Sequence, residues 1–182
     1  MSEYVAFEPQ VQVKGAAILA TLLGVGRDLV DPVARKCGLV DIQENEWYLQ
    51  QAWLDTLKSL DENRTGGTLN MVSVGLTVPD TANWPTDIDS IEAALFSIDV
   101  AYHMNHRNGE IGQYRAQQIN EHLIDVICDN PYPCDFDYGI IYGVARRFRP
   151  KDMGFSITHD PGTCRRRGDK ACVYHVELTR NK

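Results

Sequence analysis

Two short segments near the end of the chain constrain its fold most strongly. Residues 155–159 and 171–178 alternate apolar and polar side chains, which is the pattern of strands that bury one face. The loop between them contains Pro161-Gly162 and Gly168-Asp169, and both pairs favour turns. The sequence therefore predicts an antiparallel hairpin here.

The hairpin also brings metal-binding side chains together. His159 lies on the apolar face of the first strand and Cys172 on the apolar face of the second, while Cys164 lies in the loop. Cys134, at the start of the preceding helix, is a fourth candidate. Three thiols and one imidazole suit a closed tetrahedral zinc site, so these four residues are the predicted ligands of a structural zinc ion.

A second interpretation of the cysteines stays open. Seven residues separate Cys164 from Cys172, whereas structural zinc motifs usually contain a Cys-x-x-Cys pair. Buried cysteine also packs as a small apolar residue, and His159 then is a hydrogen-bonded core histidine. The chain has five cysteines and no secretory signal, which argues against a disulfide framework.

The rest of the chain predicts a single α+β domain over residues 1–182. Apolar residues at helical spacing predict helices over 16–30, 44–60, 87–105 and 136–148, and Gly139 and Gly143 on the last of these permit close backbone approach. Twofold alternation predicts a strand over 69–78 and one or two strands over 111–127. We therefore expect N-terminal helices plus an antiparallel sheet packed with helices.

Charge and hydropathy exclude two classes of partner. The net charge of -7 argues against a nucleic-acid binder, because such proteins usually carry a basic field. The longest apolar run, over 16–25, is too short to cross a bilayer and lacks the basic start of a signal peptide. The sequence predicts a cytoplasmic protein that binds neither nucleic acid nor membrane.

Two C-terminal stretches resemble a known family. Residues 159–176 contain a cysteine, a short loop, Gly-Asp and a cysteine that begins an aromatic-alternating strand; residues 131–139 read Pro-Tyr-Pro-Cys-Asp-Phe-Asp-Tyr-Gly. Together they resemble the 4-vinyl reductase (4VR) domains. These belong to a broad superfamily with the heme-nitric-oxide-binding domains and the sensory domains of phenol-responsive bacterial activators.

The resemblance implies a bacterial sensory or carrier domain. Such domains commonly dimerise through N-terminal helices, here within 15–62, and hold a small, hydrophobic or amphipathic ligand between helices and sheet. The phenol sensors bind zinc through three cysteines and a glutamate. This chain has Pro161 at the corresponding place, so His159 or Asp160 would substitute. No output module is recognisable, so we expect any signal to pass to a separate protein.

Aromatic and apolar side chains are the predicted ligand contacts. A pocket under the helix over 136–148 and against the sheet is predicted to be lined by Phe96, Tyr102, Tyr138, Ile141 and Tyr142, together with Trp84. The same side chains would serve equally as ordinary core.

Heme is not expected from the sequence. His103 and His106 lie at the end of a helix, where an axial ligand could sit. The heme-binding relatives, however, hold the propionates with a Tyr-x-Ser-x-Arg motif. The most similar segment of this chain, residues 114–118, reads Tyr-Arg-Ala-Gln-Gln. Histidines at a helix C-terminus also serve as cationic caps.

An enzyme is the alternative in a different class. Cys134 or Cys164 offers a thiol, and the end of the chain is similar to hydrolases of amino-thiazoline carboxylate. Arginines 165–167, with arginines 146, 147 and 149, could activate that thiol, bind an anion, or simply form a solvated surface. No nucleophile motif is recognisable, so a binding domain is favoured over an enzyme.

Overall fold

The computed structural model describes residues 3–23, 26–62, 70–82, 84 and 88–180. Its six helices are α1 (Gly15–Leu23), α2 (Arg27–Lys36), α3 (Gln50–Glu62), α4 (Met71–Thr81), α5 (Ile91–Met104) and α6 (Cys134–Arg147). Its strands are β1 (Gln12–Lys14), β2 (Trp47–Leu49), β3 (His106–Arg107), β4 (Gln113–Asn120), β5 (Leu123–Asp129), β6 (Met153–His159) and β7 (Cys172–Arg180).

The strands form two antiparallel sheets. The smaller sheet has the order β2-β1-β3 and joins the N-terminal part of the chain to the end of α5. The larger sheet has the order β4-β5-β7-β6, and α5 and α6 contact its strands. The predicted α+β class is confirmed, as is the C-terminal hairpin, in which His159 pairs with Tyr174. Cys128 pairs with Cys172 on the neighbouring strand.

The strand predicted over 69–78 is wrong. Leu69 lies outside the described residues, and the remainder belongs to helix α4. The Asn70 side chain accepts a hydrogen bond from the Ser73 N–H at 2.7 Å and so caps the first turn. The buried positions Met71, Val74, Gly75 and Pro79 follow a helical period. The strand was predicted because the valines alternate along the same segment.

The N-terminal helices also differ in extent from the prediction. The run over 16–30 forms two helices, α1 and α2, and Gly24 and Val25 between them lie outside the described residues. Pro32 lies inside α2 rather than at a helix end. The helix predicted over 44–60 begins as β2 and becomes helical only at Gln50. Among the described residues no helix is long and apolar enough to span a bilayer.

Helices α4 and α6 cross at a backbone-to-backbone contact made by glycines. A Cβ on Gly139 would overlap the Val72 carbonyl oxygen, and a Cβ on Gly75 would overlap the Phe136 carbonyl oxygen. The close approach that Gly139 and Gly143 suggested is therefore present, and it fixes α6 against α4.

Replacing Gly139 by alanine tests this crossing through the sign of its effect. In an unobstructed helix interior glycine to alanine stabilises by about 1 kcal/mol. Here we expect Gly139→Ala to lower the free energy of unfolding by about 1–3 kcal/mol, because the helices must separate. Urea unfolding measures the change, and a gain in stability would contradict the crossing.

Candidate ligand crevice and metal site

An apolar crevice lies between the N-terminal helices and α5 and α6. Its cavity volume is about 80 Å³, and it is partly open to solvent. Its walls come from α1, α3, α4, α5, α6 and the segments beside them. The lining residues are Val13, Ala17, Thr21, Trp53, Val78, Pro79, Ala82, Trp84, Ile98, Ala101, Tyr102, Asn105, His106, Tyr114, Tyr132, Phe136 and Ile140. Such a lining suits an apolar or amphipathic ligand.

Among the described residues that line the crevice, His106 is the only histidine. Its Nδ1 lies 2.9 Å from the Tyr102 carbonyl oxygen, and its Nε2 lies 2.8 Å from the Tyr132 hydroxyl. A carbonyl oxygen only accepts, so Nδ1 carries the proton and Nε2 presents its lone pair, which accepts from Tyr132. Burial lowers the pKa of His106 to about 4, so the ring is neutral at pH 7.

The Gln50 side chain is fully buried near the Tyr102 and Tyr132 hydroxyls. Hydrogen bonding to the Gln50 amide opposes, in part, the rise that burial causes in the pKa of both tyrosines. The Tyr102 hydroxyl donates to the Ile111 carbonyl oxygen.

The neutral state of His106 predicts a pH dependence of stability. The folded pKa, about 4, lies below the ordinary value of 6.5, so the unfolded chain takes up a proton first as the pH falls. His106 therefore costs up to about 3 kcal/mol of stability between pH 6.5 and pH 4. We expect His106→Phe to show a weaker loss of stability over this range in urea unfolding at each pH. Equal pH profiles would contradict the assignment.

The four predicted zinc ligands meet at the base of the hairpin. One ligand atom from each of Cys134, His159, Cys164 and Cys172 lies within 4.8 Å of the others. The Cys134 Sγ is 3.0 Å from the Cys172 Sγ and 3.5 Å from the Cys164 Sγ. The His159 Nε2 is buried and has no hydrogen-bond partner. Three sulfurs and an imidazole nitrogen are donor types that could hold a zinc ion in a closed tetrahedral site.

The surroundings favour a thiolate at Cys172. The hydrogen bond from Cys134, followed by donors of Arg165, lowers the pKa of Cys172 to about 3. The Arg165 backbone N–H and Nε lie 3.4 and 3.5 Å from the Cys172 Sγ. The pKa of Cys134 is raised in turn, because the two sulfurs share one proton. A thiolate is the form that binds a metal ion.

A buried ion pair ties the cysteine site to the crevice. The Arg165 guanidinium bonds to the Asp137 carboxylate on α6 and to the Asn130 side chain. The other Asp137 oxygen accepts from the Tyr114 hydroxyl at 2.5 Å, and Tyr114 lines the crevice. Burial raises the pKa of Asp137 to about 6, while Arg165 opposes this rise.

The predicted ligand contacts divide between the crevice and other places. Tyr102 and Trp84 line the crevice. Phe96 is 49% exposed on the outer face of α5, and Ile141 is fully buried in the core. Tyr138 and Tyr142 stack on each other at 6.4 Å, on the side of α6 that contacts β6.

The arginine cluster is likewise divided. Arg165 is buried in the ion pair, Arg166 bonds to Glu3 and Asp135, and Arg146 bonds to Asp80. Sequence reasoning missed Gln50 and Tyr132, since nothing in their local pattern distinguishes them from core.

No protein-family model and no curated protein matches the chain. Solved structures of H-NOX proteins do match over nearly their whole length. They include an H-NOX protein from S. oneidensis in the Fe(II)NO ligation state, with a TM-score of 0.64 and 15% identity over 91% of this chain and 99% of that one. An oxygen-binding H-NOX domain related to soluble guanylate cyclases matches with a TM-score of 0.60 and 17% identity over 92% and 93% of the two chains.

A third matching structure is described under the modulation of heme redox potential through protein-induced porphyrin distortion. It has a TM-score of 0.60 and 16% identity over 92% of this chain and 93% of that chain. At these identities the likeness shows the fold, which is the H-NOX fold. The expected relation to heme-nitric-oxide-binding domains is therefore confirmed at the level of fold. The sequence-based argument against heme was wrong, because solved structures that share this fold are described with heme and with Fe(II).

Proposed function

We propose that this chain is a sensory domain that binds heme in the apolar crevice and, through it, a small gaseous ligand. The observation that carries the proposal is His106, a buried neutral imidazole whose Nε2 lone pair lies in the crevice wall. The H-NOX fold, found in proteins described with Fe(II), Fe(II)NO and oxygen, supports it.

His106 is the crevice residue that would hold a porphyrin's iron. The Tyr102 carbonyl oxygen orients the His106 ring through Nδ1, which is the second hydrogen bond that ligating histidines commonly make. The lining is almost wholly apolar and includes the aromatic rings of Trp84 and Phe136. When bound, heme supplies an iron atom with an open position for a diatomic ligand.

The axial role of His106 is tested against its neighbour. We expect His106→Ala to weaken heme binding at least about tenfold, because the buried nitrogen ligand is lost. His103→Ala is the matched control, because His103 is an exposed histidine three residues earlier, near the end of α5, and bonds to Asp99. Titration of each purified variant with heme, followed by the Soret band, gives the dissociation constants.

Two results would contradict this assignment. If His106→Ala folds and binds heme as tightly as the unmodified chain, His106 is not the ligand. If the unmodified chain shows no saturable Soret change, the crevice does not take heme.

We further propose that Cys134, His159, Cys164 and Cys172 bind a structural zinc ion. The proposal is supported by the closeness of their ligand atoms, the unpartnered His159 Nε2 and the thiolate character of Cys172. Zinc would stabilise the hairpin by joining β6, β7, their loop and the start of α6.

Cysteine replacements test the zinc site. We expect Cys172→Ser to lose one zinc ion per chain and on the order of 3 kcal/mol of unfolding free energy. Cys37→Ser, which changes a half-buried cysteine at the end of α2, should keep the metal. Elemental analysis and urea unfolding measure both effects. Zinc-free unmodified protein after expression with added zinc would contradict the site.

Other properties stay proposals. The fold is consistent with homodimerisation through the helices within 15–62 and with a separate signalling protein as partner. It is also consistent with a cytoplasmic location and with membership of the 4VR family. The thiol-hydrolase alternative gains no support, because of its two candidate thiols Cys134 is buried with a raised pKa and Cys164 lies against it in the cysteine cluster, while Cys172, whose pKa is lowered, is 0% exposed. Such a thiolate is a better metal ligand than nucleophile.

A further inference from the structure

Strand β6 forms one edge of the larger sheet and presents backbone groups that point away from it. The Asp160 N–H donates to the Val173 carbonyl oxygen at 2.8 Å, and this bond fixes which residues of β6 face β7. The direction alternates along an antiparallel strand, so the N–H and C=O groups of Phe155 and Ile157 point outward. Among the described residues, their only hydrogen bond is a long one, 3.5 Å, from the Tyr138 hydroxyl to the Ile157 carbonyl oxygen.

The opposite edge of the same sheet, strand β4, is protected. The outward N–H of Tyr114 donates to the Asp99 side chain of α5 at 2.8 Å, so the helix covers the start of the strand. The register of β4 shifts between Gln118 and Asn120, and Arg115 adds an exposed charge. Bulges, charged side chains and covering helices are the usual protection of a sheet edge against pairing with another chain.

Strand β6 lacks the charges and the bulge that protect β4. Its sequence, Met-Gly-Phe-Ser-Ile-Thr-His, contains no aspartate, glutamate, lysine, arginine or proline, and its pairing with β7 is regular along its whole length. The exposed side chains of Ser156 and Thr158 are small and uncharged. An extended strand can pair with such an edge, because it supplies the missing N–H and C=O partners.

Aromatic side chains lie beside this edge. Tyr142 is 39% exposed, and its ring lies 5.2 Å from the ring of the half-buried Phe155. The ring of Tyr138 stacks on Tyr142 at 6.4 Å. A strand added to β6 would bring its own side chains next to these rings, which adds apolar contact to the backbone hydrogen bonds.

A second copy of β6 fits this edge. Antiparallel pairing about a twofold axis at Ser156 places Phe155 of one copy opposite Ile157 of the other, so the outward groups of both residues gain partners. The Ile157 carbonyl oxygen has two lone pairs, so it can accept from the second copy and keep its contact with Tyr138. At the axis two Ser156 side chains meet without charge repulsion.

We infer that this chain forms a twofold dimer in which the β6 strands of the two copies pair and join the larger sheets into one continuous sheet. This interface differs from the one expected within residues 15–62. The pairing uses backbone groups of β6, so it is independent of the proposed heme and zinc sites.

A charge placed at the axis tests the pairing. Ser156→Lys puts two positive charges opposite each other in the dimer, whereas in a single chain the side chain is exposed beside Glu177. The dissociation constant of the dimer should rise at least about tenfold, as measured by analytical ultracentrifugation. Gln117→Lys, which places the same charge on the exposed part of β4, is the matched control. Leu29→Lys changes a 56% exposed residue of α2 and tests the interface expected within 15–62. Both should leave the dimer intact.

Amide hydrogen exchange identifies the paired strand. The N–H groups of Phe155 and Ile157 should exchange at least about tenfold more slowly in the unmodified chain than in Ser156→Lys, because only the dimer gives them acceptors. The N–H groups of Gly154 and Thr158 face β7 and should stay protected in both proteins, which shows that the hairpin remains folded.

Four results would overturn the inference. They are an unmodified chain that stays monomeric at about 100 μM, an unchanged dissociation constant in Ser156→Lys, a dimer that Leu29→Lys dissociates, and a dimer whose Phe155 and Ile157 amides exchange freely. Protection of these amides in a monomer by a different protein would also overturn it, because the occupant of the edge is then not a second copy.

Discussion

The buried ion pair between Arg165 and Asp137 holds the C-terminal half of the molecule together. Both side chains are almost completely buried. The ion pair and the hydrogen bonds to Asn130 and Tyr114 therefore offset the cost of burying the two charges. The pair joins the hairpin loop to α6 and to the first two strands of the larger sheet. Removing one partner would leave an unpaired buried charge, which costs roughly 3–5 kcal/mol.

Because of this pair, two chemically different sites share one framework. Arg165 donates to the Cys172 sulfur on one side, and Asp137 accepts from Tyr114 in the crevice wall on the other. Helix α6 begins with Cys134 in the cysteine cluster and lines the crevice with Phe136 two residues later. A change in the state of the cysteines and a change in the crevice therefore act on the same helix.

The cysteine site was predictable from the sequence because its information is local. Strand alternation fixes which face His159 and Cys172 occupy, and the short loop limits where Cys164 can lie. The glycines of α6 likewise predicted a close contact between helices. By contrast, the alternating valines of α4 resembled a strand, although Met71, Val74 and Gly75 have helical spacing and Asn70 caps the helix.

The crevice could not be predicted in the same way. Its walls come from five helices that are distant in sequence, so no periodicity specifies which side chains meet. Phe96 was chosen as an aromatic on a predicted helix, but its side of α5 faces outward. The role of Tyr132 depends on its three-dimensional contact with His106, which a single sequence does not reveal. The argument against heme relied on a missing motif, and the fold overturned it.

A crystal structure of the chain loaded with heme and zinc, with anomalous data at the iron and zinc edges, tests the account most directly. The account predicts an iron peak next to the His106 Nε2 and a zinc peak among Cys134, His159, Cys164 and Cys172. An iron atom ligated elsewhere, or no iron in the crevice, would contradict it.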